Sequence, residues 1–354
     1  MLHPFKLCLV LLFAFLFVTS VGRLHAQTTN AQKTPRGVNA PKVDGDFDYQ
    51  GEYLGNLNLD GTPGRFGLQV IAMGKGNFKA FLYRGGLPGA GSPVGREQVE
   101  RTEWDAPGKF EPLGSIDPFT GRKGLVQFQG SKHGDGVIQD RTFTLMNRRG
   151  MIAGQLQKVD RKSPSLGAKP PGSAVILFDG KSADGWKNGK ITDDGLLMQG
   201  TTSERMFDDF RLHLEFRLPY MPAQSGQGRG NSGIYVQGRW EIQMLDSFGL
   251  TGEQNECGGI YSVGKPDVNM CLPPLSWQTY DIDFTSAKYD TDKQLKSNAR
   301  MTVWHNGVKI HDNLELPDRK TTAAPVNVGP TPGPIFLQDH GNPVRYRNIW
   351  LIEK

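Results

Sequence analysis

Glu241, Gln243 and Asp246 fall within six residues of one another in "GRWEIQMLDS", positions 238 to 247. Two carboxyl groups and an amide at this spacing could do general acid–base work. In an extended strand Glu241 and Gln243 share a face, opposite Trp240, Ile242 and Met244. Asp246 falls on the apolar side unless a β-bulge adds one residue and returns it to the polar face. The competing reading is that Asp246 caps the "SFGL" turn and Glu241 is a solvated strand residue.

A second chemical group lies in "LQDHGNPVRYRN". His340, between Asp339 and Gly341 in a turn, has the side chain best suited to moving a proton near neutral pH. Arg345 and Arg347 share one strand face, with Tyr346 and Asn348 on the other. Either His340 is a proton shuttle, or it is a turn histidine bonded to backbone. In "GRGNSGIYVQ" the glycines around Asn231 and Ser232 lack the Gly-Lys-Ser/Thr of a phosphate cradle. They read as a loop that lets backbone approach a ligand, with Asn231 available to hydroxyl groups, or simply as a turn. Tyr235 is a candidate platform for a sugar ring, whereas Trp240 and Trp277 are assigned to the core. Asp281 and Asp283 share a face and are the weak candidate for a divalent cation; a solvated strand face competes with that reading. No cofactor is otherwise expected.

These groups must be carried by strands. The chain of 354 residues has 45 glycines and 23 prolines, and no capped amphipathic stretch of helix length stands out. "FRLHLEFRL" alternates with Phe210, Leu212, Leu214, Phe216 and Leu218 on one face. Asn306-Gly307 in "MTVWHNGVKIH" and Gly76 in "KGN" mark hairpins. Residues 1–26 have a basic residue, Lys6, then an apolar run from Leu7 to Val18, shorter than the roughly 20 residues that span a bilayer. They read as a secretory signal peptide, so a secreted or periplasmic protein without a membrane span is expected. Residues 27–42 read as a flexible leader, 43–160 as a small β-rich domain, 161–173 as a Pro/Gly/Ser/Lys linker, and 174–354 as a second β domain. Removing the signal peptide lowers the formal charge from +5 to +3, with no basic stripe for nucleic acid. Cys257 and Cys271, fourteen residues apart, are expected to form a disulfide, the natural pairing of two cysteines in an exported chain.

The blocks "AVILFDGKSADGW", "GNSGIYVQGRWEIQMLDSFG", "ECGGIYSV", "PPLSWQTYDIDF", "HNGVKIHDN" and "PIFLQDHGNPVRYRNIWLIE" occur in that order. Over residues 174 to 354 they resemble the 3-keto-disaccharide hydrolase domain family of exported bacterial proteins. The resemblance implies an all-β fold, a concanavalin-like jelly-roll sandwich, and cleavage of glycosides oxidised at carbon 3. It also implies a sugar 3-dehydrogenase as a partner that makes the substrate, and places the "LQDHGNPVRYRN" block beside the site. On that basis Glu241, Asp246 and His340 are the expected catalytic residues. Gln243, Asn231, Tyr235, Asp339, Arg345 and Arg347 are the expected contacts to a glycoside or oligosaccharide. Sandwich glucanases carry Glu-x-Asp-x-x-Glu on such a strand, but here the middle position is an amide and the last is Asp. A retaining pair needs carboxyl groups about 5 to 5.5 Å apart, so this departure favours elimination, which needs one base, one acid and a holder for enolate charge. The competing class is a lectin-like sandwich that binds carbohydrate without cutting it.

Overall fold

A computed structural model describes residues 43–59, 61–89 and 124–354, with the backbone alone for 101–103 and 108–112. The expected signal peptide and leader lie outside the described residues. Among the described residues no helix is long and apolar enough to cross a membrane.

The first nine strands are β1 (Gly51–Leu59), β2 (Thr62–Gly74), β3 (Asn77–Arg84), β4 (Arg101–Glu103), β5 (Gly108–Pro112), β6 (Gly124–Ser131), β7 (Gly134–Gln139), β8 (Thr142–Met146) and β9 (Ile152–Val159). They pair antiparallel in the order β2-β1-β9-β8-β7-β6-β5-β3-β4, and β2 also pairs β3, so eight of them close on themselves with β4 alongside β3. The β2–β3 turn uses Lys75 at φ 56° and Gly76 at φ 74°, the two positive values that a two-residue hairpin of matching twist requires. Alternation then sorts the side chains. Tyr53, Leu57, Phe66, Leu68, Val70, Phe78, Leu82, Phe128, Phe143 and Leu156 are buried in one cluster inside the barrel, as an eight-stranded barrel just wide enough for side chains demands. The opposite faces of β2 and β3 carry Ile71, Phe81 and Tyr83, which join the core of the second part instead.

That second part is the expected jelly-roll sandwich. Its strands are β10 (Val175–Phe178), β11 (Trp186–Lys187), β12 (Leu197–Met198), β13 (Thr201–Phe207), β14 (Phe210–Arg217), β15 (Ser232–Val236), β16 (Trp240–Met244), β17 (Trp277–Thr285), β18 (Lys288–Tyr289), β19 (Leu295–Ser297), β20 (Arg300–His305), β21 (Val308–Glu315), β22 (Gly333–Leu337) and β23 (Arg345–Glu353). One sheet runs β10-β23-β14-β17-β20-β21 with β12 on β23; the other runs β11-β13-β22-β15-β16. Phe210, Leu212, Leu214, Phe216 and Leu218 all enter the core between them, beside Ile234, Trp240 and Ile242 from the facing sheet. Asn306 (φ 51°) and Gly307 (φ 79°) turn β20 into β21.

Residues 161–173 are stitched down rather than loose. Arg161 pairs with buried Glu52 of β1, Ser163 Oγ is 2.6 Å from Thr279 Oγ1, and the Gly167 N–H donates to Glu215 at 2.6 Å. Cys257 and Cys271 correct the expected disulfide. Both are buried free thiols, with Cys257 Sγ 3.3 Å from the Tyr280 hydroxyl and Cys271 Sγ 3.5 Å from the Leu245 carbonyl. They fill the sandwich core as small apolar side chains, a common use of unbridged cysteine.

Candidate active site

Strand β16 has the expected faces: Trp240, Ile242 and Met244 enter the core, and Glu241 and Gln243 point away from it. On one side Tyr235 lies opposite Glu241 and Gly233 opposite Gln243. On the other, residues 258–261 add a further hydrogen-bonded edge: Gln243 N–H donates to the Gly259 carbonyl at 2.9 Å and Tyr261 N–H to the Glu241 carbonyl at 3.1 Å. The strand is therefore internal, and Glu241 is only 3 % exposed.

Gly233 makes that possible. A Cβ there would come within 2.3 Å of Glu241 Oε1, so any larger residue would evict the carboxyl. The Tyr235 hydroxyl bonds to the same carboxyl and accepts from Gln338 Nε2 at 2.8 Å. One orientation of the Gln243 amide puts its nitrogen 3.1 Å from Glu241 Oε1 and 2.7 Å from the Ser232 carbonyl; in the other that nitrogen donates to Gln227 Oε1 at 2.9 Å. Burial pushes the Glu241 carboxyl up to about 7, with the Tyr235 hydrogen bond opposing part of the rise. Burial also pushes the Tyr235 phenol far above its ordinary value, so it stays protonated and donates. The result is one carboxyl in a neutral polar nest, poised to gain or lose a proton near neutrality.

Asn231 belongs to the same neighbourhood. Its Nδ2 donates to the Gln227 carbonyl at 2.7 Å, its N–H donates to Asn342 at 2.7 Å, and its buried Oδ1 has no partner. Gln338 Oε1 is likewise buried and unpartnered. Gln227 and Gln338 are not among the residues the sequence points to, and Gly233, read there as a loop glycine that lets backbone approach a ligand, instead makes room for the Glu241 carboxyl. Gln338 could have been found there, since it continues the alternation that puts Phe336 on the face of Tyr235.

Five other expected site residues do not join Glu241. The β15–β16 ladder runs without a register shift and β16 ends at Met244, so no bulge returns Asp246 to the polar face. Its carboxylate instead bonds Arg229 Nε at 2.6 Å and caps the Phe248 N–H at 3.4 Å. Asp339 caps its own turn through the Gly341 N–H at 2.8 Å, and His340 is exposed beside it. His340 follows Gln338 by two residues and has no hydrogen bond to Glu241 or its neighbours among the described residues.

Arg345 and Arg347 lie on the outer face of the other sheet. Tyr346 between them points inward, its hydroxyl 2.5 Å from Ser232 Oγ, which sends its two neighbours outward. Arg345 donates to Gln199 at 2.8 Å, and Arg347 pairs with Glu215 at 2.7 Å. Trp277, expected in the core, is on that outer face too, with the Arg347 guanidinium 3.9 Å from its ring centre. The two candidate cation ligands are also committed: Asp281 bonds His213 Nδ1 and Ser165 Oγ, each at 2.6 Å, and Asp283 pairs with Arg211 at 2.9 Å. Among the described residues no group of three or more His, Cys, Asp or Glu could hold a metal ion.

The sandwich thus carries a buried carboxyl, Glu241, on a polar sheet face. The chain belongs to the 3-keto-alpha-glucoside-1,2-lyase-like domain family, whose sequence model matches residues 173–352, half of the chain. This membership supports a glycoside hydrolase-like function with a carbohydrate substrate. Among solved structures, a candidate glycosyl hydrolase from Parabacteroides distasonis is 30 % identical, with 52 % of this chain and 84 % of that chain covered and a TM-score of 0.47. Two further candidate glycosyl hydrolases from the same organism are 18 % and 20 % identical. They cover 51 % of this chain and 94 % and 99 % of their own, with TM-scores of 0.39 and 0.37. No curated protein matches the chain.

Proposed function

We propose that this chain cleaves glycosides carrying a ketone at carbon 3, by elimination across C1 and C2 followed by hydration, with Glu241 as the base. The observation that carries the reading is the Glu241 carboxyl itself, buried, neutral in its surroundings and raised to about 7. A ketone at C3 acidifies the hydrogen on C2. The Glu241 carboxylate takes that proton, the electron pair moves onto the C3 oxygen as an enolate, and collapse of the enolate forms C1=C2 and expels the C1 oxygen. The departing oxygen takes a proton, a role for which we propose His340, two residues after Gln338 in the chain. Water added back across C1=C2 completes a net hydrolysis.

Elimination fits a site with one acid better than a paired mechanism does. No second carboxylate contributes to the Glu241 shift, and Asp246 is held by Arg229. With Arg345 and Arg347 on the other face, neither holds the enolate charge, and that role passes to neutral N–H and O–H donors. The apolar run at residues 7–18 supports an exported enzyme, and a sugar 3-dehydrogenase is the reaction type that would supply the ketone.

The test compares 3-keto-trehalose and a 3-keto-glucoside with their unoxidised parents, for wild type and Glu241→Gln, in deuterium oxide. Cleavage of the keto sugars alone, with deuterium at C2 of the product and loss of at least 100-fold in the variant, is expected. Cleavage of unoxidised sugars, or full activity in the variant, would overturn the proposal. Binding of keto sugars without cleavage would favour the lectin-like class.

A further inference from the structure

The outer face of the seven-stranded sheet carries a charge arrangement that the Glu241 site does not use. Arg217 on β14 lies directly opposite Arg345 on β23 on one side and Trp277 on β17 on the other. At about 4.8 Å between neighbouring strands, the three positions form a row about 10 Å long. Arg347, two residues along β23, adds a third guanidinium. Both Arg217 (5.1 Å) and Arg347 (3.9 Å) stack on the Trp277 ring. All four side chains are partly exposed.

Like charges directly opposite across a strand pair are destabilising, and this sheet keeps such a pair on a half-buried face. Two carboxylates are near. Glu215 is committed to Arg347 and also accepts from Asn348 and the Gly167 N–H. Asp194 is close enough to favour the charged forms of Arg217 and Arg345, but its carboxylate accepts from Thr192. Arg217 has no hydrogen-bonded carboxylate among the described residues, and Arg345 donates only to Gln199 and the Val344 carbonyl. Burial and the neighbouring Arg345 and Arg347 both work against the charge on Arg217. An oxyanion would relieve that repulsion and accept paired N–H groups from the planar forks.

We infer that Arg217, Arg345, Arg347 and Trp277 form a binding site for the oxyanion of an acidic glycan, on the face of the sandwich opposite Glu241. The anionic half of this assignment rests on the arginine row. The glycan half rests on the family membership above and on Trp277, an aromatic edge that a sugar can meet beside its charge. A carboxylate on a uronic acid and a sulfate ester present the same oxyanion chemistry, so both are tested.

The experiment measures binding of the full chain to polygalacturonate, dextran sulfate and neutral dextran by titration calorimetry at low and physiological salt. Arg217→Gln, Arg345→Gln and Arg217→Lys are compared with wild type after a circular dichroism check of folding. Lys309→Gln, the same charge change on β21 of the same sheet, controls for net charge. Expected is binding of one or both acidic polymers but not dextran, weakened about tenfold by each glutamine variant and less by Arg217→Lys, with Lys309→Gln within twofold of wild type. Preference between the two polymers identifies the oxyanion. No binding to either acidic polymer would overturn the inference, as would equal weakening by Lys309→Gln or unchanged binding in both glutamine variants. Should one arginine variant fail to fold, the other decides. Because the probes carry no ketone, failure here leaves keto-glycoside cleavage standing, and loss of that activity in Glu241→Gln leaves this site standing.

Discussion

Replacing Glu241 by glutamine should stabilise the protein at alkaline pH and leave it almost unchanged in acid. In the unfolded chain this carboxyl ionises near its ordinary 4.5; in the folded protein burial holds it to about 7. Between those two values the folded state keeps a proton that the unfolded state has released, so unfolding becomes easier as pH rises. A rise from 4.5 to about 7 corresponds to a cost of about 3 kcal/mol, at 1.36 kcal/mol per tenfold change in proton affinity. That cost is absent below pH 4.5 and complete above pH 7. Glutamine has the same shape, can still accept from the Tyr235 hydroxyl, and has no proton to lose. Urea unfolding of both proteins at pH 4.5, 6 and 8 isolates the effect, because every other titrating group cancels in the difference. The variant should gain little at pH 4.5 and about 2 to 3 kcal/mol at pH 8, while losing catalysis at both. A difference that stays flat or shrinks between pH 4.5 and 8 would show that the folded carboxyl ionises normally, and would remove the base from the proposed mechanism.

Three further outcomes test the frame around the site. Arg229→Met strands the buried Asp246 carboxylate and should cost about 3 to 5 kcal/mol in urea unfolding, most of which the double change with Asp246→Leu should restore. His213 is buried, which alone would lower its pKa, but hydrogen bonds to Asp281 and Glu215 outweigh that and hold it raised. Its contribution is therefore whole below the ordinary 6.5 and is lost as pH climbs through the higher folded value. Exchange at the Gly167 amide, corrected for its intrinsic pH dependence, should speed up across that window in wild type but not in His213→Asn. Alkylation of the denatured chain without reductant should label both Cys257 and Cys271; recovery of the two as a bridged pair would overturn their assignment as free thiols.

What the sequence made legible was whatever a period of two can carry. The five apolar residues of "FRLHLEFRL", the Asn306-Gly307 turn and the division of β16 into core and polar faces all depend on local alternation and turn chemistry. The same alternation placed Asp246 on the wrong side for catalysis. Only an added bulge reconciled it with the expected site, and the structure uses no bulge because Arg229 meets the carboxylate where it falls. Arg345 and Arg347 share a face, as alternation predicts. Which outer face that is depends on β23 pairing with β14 rather than with the strands of the Glu241 sheet, a long-range choice that spacing along one strand does not encode. Closure of the barrel is of the same kind. It needs Leu57 of β1 to pair with Gly154 of β9, nearly a hundred residues apart. There Gly154 has φ 146° and leaves no room for a Cβ, which would come within 2.4 Å of the Asn56 carbonyl.

That barrel reaches the candidate site through very few atoms. The Ala72 carbonyl of β2 accepts from Arg229 Nη2 at 3.3 Å; Arg229 holds Asp246 through its side chain, and its carbonyl accepts the Asp246 N–H at 3.0 Å. Gly230, at φ 66°, then reverses the chain so that Asn231 meets Gln227, whose side chain meets Gln243. Asp246 therefore serves the site without touching it. It anchors the β14–β15 loop to the segment that follows β16, and the barrel fixes the other end of the same ion pair. A carboxylate pair on the polar face would have needed Asp246 to turn inward and leave Arg229 buried without a counter-charge. Breaking a buried pair in that way costs several kcal/mol, more than the shift of one side chain across a strand could return. The separation of Asp246 from Glu241 is thus a consequence of how the loop is pinned, and the elimination proposed above is the route that asks for no second carboxylate beside Glu241.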